Sequence, residues 1–289
     1  MKQNVSWTMV VVAAMAVGCG TQTGTSASPT PSAVSSAATS AAPPQQKTES
    51  QAAQSQSGRM TATYEDATTP EAIRGRDLMK QTGLLESLAG EVNDWFVLPY
   101  DIPLVGAECG VANDFWSPDD KTMTLCYEDV DNSLKLFKDD PDPQAAARRI
   151  AIGAFFHELG HMTIDIYDLP VTGREEDVAD QLAAYWLLTP VDGKLNPDYV
   201  QAALDTADWY NLSSTAPADL DEQTFADVHT LDQSRSANFY CWIYGSDPQA
   251  EAGIVSSGQL PEDRADGCQG EYDQLARAWS ELLAPHYRS

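Results

Sequence analysis

The chain has 289 residues and carries 43 acidic against 17 basic side chains, a formal net charge of −26. That imbalance argues against nucleic acid as a partner, because phosphate backbones attract positive patches. It equally argues against adhesion to anionic lipid by charge alone.

The first residues, "MKQNVSWTMVVVAAMAVGC", join a weakly basic start at Lys2 to an apolar run from about Met9 to Val17. The run is too short to span a bilayer as a permanent helix and reads as a secretory signal. Ala16-Val17-Gly18-Cys19 resembles the lipobox of bacterial lipoproteins, in which cleavage precedes a cysteine that then carries lipid; alanine stands where that motif usually has leucine. Residues 1–19 are therefore expected to be a signal peptide ending at a lipidated Cys19. This puts the chain outside the cytoplasm on a lipid anchor, or secreted if the lipobox is not used. Residues 20–69 are dominated by Ser, Thr, Ala, Gln, Gly and Pro, cannot offset their chain entropy by apolar burial, and are expected to form a disordered tether. Residues 70–289, about 220 in all, suit one domain.

Within that domain the order of elements is helix, strands, then helices. "TPEAIRGRDLMKQTGLLESLAGEVNDW" has helical character, with Ile73, Leu78, Leu84, Leu85 and Leu88 as its apolar set. "WFVLPYDIPLV" is β-like, and "GAECGVANDFWSPDDKTMTLCYEDV" reads as a strand pair turning at "SPDD". Asp142-Pro143 opens a long helix that Leu169-Pro170 stops, since aspartate caps well and proline suits the first helical position. Its middle is apolar nearly all round, as befits a core helix. "PVTGREEDVADQLAAYWLLTP" is a second helix, with Thr172 and Glu175 in capping-box register. "NPDYVQAALDTADWY" and "PEDRADGCQGEYDQLARAWSELLAPHY" are further helical segments. Cys109, Cys126, Cys241 and Cys268 suit two disulfides in an exported chain. Of the three possible pairings, proximity in sequence favours Cys109 with Cys126 and Cys241 with Cys268. None has CxxC spacing, which argues against a cysteine zinc site.

Only four histidines occur in the chain, and two of them stand four apart in the long helix, in "AFFHELGH". Spacing i, i+4 puts His157 and His161 on one helix face, where both rings can bond one zinc ion at roughly 2.0–2.1 Å. Glu158 lies beside them as a general base, giving the pattern H-E-x-x-H. A carboxylate and two imidazoles in so apolar a stretch are costly unless a cation pairs with them. A zinc enzyme needs three protein ligands and one open position. No histidine follows His161 in the metzincin pattern, so the third ligand is sought on the next helix. There Glu176 and Asp180 share a face with Ala179, Ala183 and Leu187. Glu176 is the favoured ligand, and Asp180 is placed to accept from the outer nitrogen of a ligating histidine. Glu175 competes, but its capping position gives it a structural task; Asp177 points elsewhere.

HExxH followed by a helix bearing E-x-x-A-D resembles the gluzincin metallopeptidases, the thermolysin-related clan. The wider set "CG-ANDFW", "LCYE", "FFHELGH", "DLPVTGREEDVADQ" and "CWIYGSDP" is similar to a family of bacterial exported proteins described as metallopeptidases, and the likeness covers the domain. The resemblance implies an α+β, zincin-like fold: a small antiparallel or mixed sheet with an edge strand packed on the HExxH helix, followed by a mainly helical part. It implies peptide substrate laid along that edge. "KTMTLCYEDV" is the candidate edge, braced by a Cys109–Cys126 bridge.

The expected activity is zinc-dependent peptide hydrolysis by a monomer, with one Zn2+ and Glu158 moving the proton. An oxyanion stabiliser is also needed; His229 is the first candidate, then Tyr240, Tyr244 or Arg235, whereas His286 reads as structural. The rivals are a binding lipoprotein that keeps zinc as a staple, which a missing Glu158 would have favoured, and a zinc amidase acting on cell-wall peptides, which the acidic surface disfavours.

Overall fold

The computed structural model describes residues 57–214, 222 and 226–288. The signal segment, Cys19 and the tether as far as residue 56 lie outside the described residues. Among the described residues no helix is long and apolar enough to cross a membrane.

The architecture is α+β, with a small mixed sheet and a mostly helical remainder. Strands β1 (Met60–Tyr64), β2 (Ile102–Ala107), β3 (Asp114–Ser117) and β4 (Thr122–Cys126) stand in the order β1-β2-β4-β3. β1 runs parallel to β2 and β2 parallel to β4, while β3 returns antiparallel to β4 with Asp114 opposite Leu125 and Trp116 opposite Met123.

Strand β1 corrects the tether boundary at residue 69. "MTATY" alternates, burying Met60 and leaving Thr61 and Thr63 in solvent. The buried Asn93 amide closes both polar groups of Met60, accepting from its N–H and donating to its carbonyl at 2.8 Å each. The composition of a fifty-residue stretch hid five residues that a sheet edge could pair.

Helices α1 (Pro70–Thr82) and α2 (Leu84–Trp95) replace the single expected helix. Gly83 separates them in a left-handed conformation (φ 58°), which glycine adopts without steric cost and which ends α1 by bonding its N–H back to Lys80 and Met79. Leu78, Leu84, Leu85 and Leu88 are buried as expected, and Ile73 is only half-buried.

The strand order also corrects the edge. "KTMTLCYEDV" forms β4 and the start of α3 (Tyr127–Leu136), but β4 lies inside the sheet; β3 is the edge. Alternation reveals which face of a strand is buried, and Met123 and Leu125 are. It does not reveal that β2 will pair with the other side of β4.

Helix α4 (Pro143–Tyr167) keeps its expected limits. Asp142 accepts from the Ala145 N–H at 3.1 Å, and Asp168 ends the helix in the left-handed region. α4 packs against β3 and β4 on one side and against α5 (Glu175–Leu188) and α6 (Pro197–Ser213) on others, so most of its circumference is buried. α7 (Asp232–Ser246), α8 (Ala252–Ser256), α9 (Glu262–Ala265) and α10 (Cys268–Leu283) complete the helical part.

The disulfides are Cys109–Cys126 and Cys241–Cys268. The first ties the chain after β2 to the junction of β4 and α3, and the second joins α7 to α10. His286 is structural here, stacked on Tyr167 with ring centroids 3.8 Å apart.

Candidate functional site

Two adjacent helices make the site because nothing bulky separates them. At Gly160 a Cβ would stand 2.7 Å from the Ala179 Cα and 3.0 Å from its Cβ, so α4 and α5 touch backbone to backbone directly before His161. Any side chain at 160 would push the two helices apart.

At that contact the His157 and His161 Nε2 atoms lie 3.2 Å apart. The Glu176 Oε2 is 3.2 Å from the first and 3.4 Å from the second. Among the described residues, His157, His161 and Glu176 are the group whose possible ligand atoms all lie within 4.8 Å of one another. The outer nitrogens are already engaged. His157 Nδ1 meets Asp180 Oδ1 at 2.9 Å and His161 Nδ1 meets Glu175 Oε1 at 2.9 Å. Each Nδ1–H donates outward to a carboxylate, so each Nε2 presents a lone pair inward. Two nitrogen lone pairs and a carboxylate oxygen then converge on one point. Such a set repels itself unless a cation stands between, and two nitrogens with one oxygen suit a divalent ion that accepts mixed donors.

The electrostatics agree. Burial works against the charged imidazolium of His157, yet the Asp180 and Glu176 carboxylates outweigh it and raise its pKa to about 9. Burial likewise opposes ionisation of Glu176, but its bonds to His157, His161 and His229 hold the carboxyl well below the usual range. The pocket attracts positive charge.

Sequence reasoning placed His157, His161, Glu176 and Asp180 together, and the structure brings them together. It assigned Glu175 wrongly. Helix α5 begins at Glu175 with Arg174 extended before it and no side-chain cap. Glu175 therefore stands at the first helical position, two short of the third position a capping box requires, and turns to His161 instead.

Asp180 is held more firmly than spacing could show. Arg235 on α7 donates to it twice, from Nε to Oδ2 and from a terminal nitrogen to Oδ1, both at 2.7 Å. The Tyr210 hydroxyl of α6 reaches Oδ1 at 3.2 Å, and its ring lies under the guanidinium at 4.1 Å. Burial would favour neutral Asp180, but the Arg235 charge keeps its pKa lowered. Arg235 is thus committed to Asp180, which removes it as an oxyanion donor. Tyr240 is removed too, because its hydroxyl is engaged by Asp208 and Gln259; neither it nor Tyr244 lines the cleft. The link from Arg235 to His157 spans 78 residues and leaves no local trace in the sequence.

Glu158 is buried beside the ligand cluster, and its Oε2 accepts the backbone N–H of Trp116 at 2.7 Å. Edge strand β3 therefore fixes that carboxylate while its other oxygen has no protein partner among the described residues. His229 stands half-exposed at the same place, its Nε2 3.2 Å from Glu176 Oε2 and its Nδ1 2.9 Å from Asp227 Oδ1. All these groups line one cleft of about 730 Å³ bounded by β3, α3, α4, α6 and the segment before α7.

No curated protein and no solved structure matches the chain. A family model described as "Putative metallopeptidase" does, over residues 64–283. That span contains the whole sheet beyond the first strand, both disulfides and every residue of the three-atom cluster. The chain belongs to that metallopeptidase family.

Proposed function

We propose that the protein is a zinc-dependent endopeptidase of the gluzincin type, with a zincin-like arrangement of edge strand and HExxH helix, held outside the cytoplasm by a lipid on Cys19. Residues 20–56 serve as its tether and the described domain as its enzyme. The observation that carries the activity is the convergence of His157, His161 and Glu176 beside a buried Glu158 that opens on the same cleft.

His157, His161 and Glu176 would hold the ion, and two nitrogens with one oxygen favour zinc. A bound zinc ion supplies Lewis acidity, polarising a carbonyl and acidifying water. The protein's own groups do the rest. Glu158 takes the proton of the attacking water on the oxygen that Trp116 leaves free, then delivers it to the departing amine. Asp180, clamped by Arg235, fixes the tautomer of His157, and Glu175 does the same for His161. His229 donates to the developing oxyanion from beside Glu176. Substrate lies extended along β3, the edge strand bordering the cleft.

The deciding experiment measures metal content and cleavage of a peptide library for wild type and Glu158→Gln. One zinc per chain in both, with cleavage at least about 100-fold lower in the variant, is the expected result. A purified domain without zinc overturns the site, and a zinc-loaded wild type as inert as the variant overturns the enzyme. Lipid labelling of wild type but not Cys19→Ala tests the anchor.

A further inference from the structure

Among the described residues the buried acids have partners, with one exception. Asp131 is answered by Arg74 and Lys135, Asp205 by Arg149 and Gln201, and Asp180 by Arg235. Asp114 accepts the Cys126 N–H at 2.7 Å. Asp129, in the first turn of α3, is 7 % exposed and receives no hydrogen bond or ion pair from any described residue. It lines the cleft. A carboxylate removed from water without a donor is costly. Burial accordingly pushes its pKa up to about 6, and burial together with the Asp129 charge raises that of Asp114 beside it. Two carboxyl groups of one cleft therefore repel each other, and among the described residues no side chain pairs with Asp129.

Ile150 and Ala154 of α4, two turns and one turn before His157, line the same cleft. Thr206 and Trp209 of α6 line it as well. Apolar walls, an indole ring and two acids in one cleft suit a group with an apolar stem and a cationic tip, which also gains from the face of the indole. A metal ion fits poorly, because among the described residues only His157, His161 and Glu176 bring three ligand atoms within 4.8 Å.

We propose that the part of the cleft beside Asp129 and Asp114 is a subsite for a cationic group of the substrate, carried by a lysine or arginine side chain or by a free α-amine, with the two carboxylates as its anionic floor. The inference deepens the peptidase reading and rests on it.

The test uses the zinc-loaded protein as wild type, Asp129→Asn and Asp129→Glu. Three versions of one peptide are compared: N-acetylated with arginine, N-acetylated with the neutral isostere citrulline, and the citrulline peptide with a free amino terminus. Wild type should favour a cationic version over the neutral one by about 10- to 100-fold in kcat/KM, the range of one charge-assisted contact. Preference for arginine identifies a side chain, and preference for the free terminus identifies the α-amine. Asp129→Asn should bring the ratio near one and Asp129→Glu should retain it. Wild-type rates within twofold for all three peptides, or an undiminished ratio in Asp129→Asn, overturn the subsite. If nothing is cleaved, calorimetry with benzamidine and its neutral counterpart benzamide separates the two ideas. Tighter binding of benzamidine to wild type, lost in Asp129→Asn, then keeps the subsite while the peptidase reading falls; equal binding overturns the subsite itself.

Discussion

Arg235 grips Asp180 with two parallel hydrogen bonds of 2.7 Å, and one of the oxygens it grips is the oxygen that receives His157 Nδ1. The guanidinium touches no ligand atom of the cluster through a short bond, yet it sets the direction of one.

Breaking that grip should loosen the metal. Arg235→Met leaves Asp180 buried with only Tyr210 and His157 to hold it, and Arg235→Lys restores the charge but not the fork. Zinc affinity, read by competition with a chelator, should fall about 10- to 100-fold in Arg235→Met, the usual effect of losing support behind a ligand. Arg235→Lys should fall between the two. Unchanged affinity in Arg235→Met would show that Asp180 holds His157 alone.

Glu175 and Glu176 adjoin in sequence and differ in what they face. Glu176→Gln removes an inward oxygen and should cost more zinc affinity than Glu175→Gln, which removes only the outward partner of His161. The same chelator competition decides the order. A larger loss in Glu175→Gln would exchange their assignments.

Gly160→Ala tests the helix contact. The added methyl meets the Ala179 Cα at 2.7 Å, and backbone cannot step aside as a side chain can. Overpacking of this kind costs about 1–3 kcal/mol, more than the gain of roughly 1 kcal/mol from alanine's better helix propensity. Denaturant unfolding should show net destabilisation, and zinc affinity should fall with it because α5 carries Glu176.

Asp129→Asn should affect stability in a pH-dependent way. The folded-state pKa of Asp129 is raised from 3.8 to about 6, so the unfolded chain releases this proton first as pH rises. Its contribution is fully present below pH 3.8 and is lost as pH passes about 6. Replacing it with a neutral amide should therefore raise stability at pH 7–8 by roughly 1–3 kcal/mol and change little near pH 4. Melting curves at both pH values check the sign; stabilisation confined to the acid side would contradict it.

Opening the Cys109–Cys126 bridge should cost about 3 kcal/mol, the loop-closure value for a separation of 17 residues. Glu128 limits local loss, because it separately accepts the Cys109 and Gly110 N–H groups at 3.1 and 2.7 Å. Paired serine substitutions and urea unfolding give the number.

Much of this site was legible in sequence because its signals are local. Asp142-Pro143 and Leu169-Pro170 mark the ends of α4 by backbone chemistry that acts within a few residues. Spacing of i, i+4 placed His157 with His161 and Glu176 with Asp180, and Ala179 and Ala183 on the face of the latter pair implied that α5 could come close. What escaped notice was set by partners far along the chain. Arg235 meets Asp180 from 55 residues away, and Asp129 is distinguished by lacking a partner among the described residues, which no motif records. β3 became the edge only because β2 took the other side of β4. Glu175 was misjudged for the opposite reason: a local rule was satisfied in letters while the helix began at Glu175 itself.

Strand order has a mechanical consequence. β1 and β3 occupy opposite margins of the sheet, three strand spacings or about 14 Å apart. Beside β1 the two ends of the folded domain meet one short segment, Gly58 bridging to Leu98 and Tyr287 to Phe96. Tension drawn through the leading end of the domain thus meets the Gly58–Leu98 bridge and then β1, in shear along its parallel pairing with β2. The strand that fixes Glu158 lies at the far margin, with β2 and β4 between it and the load.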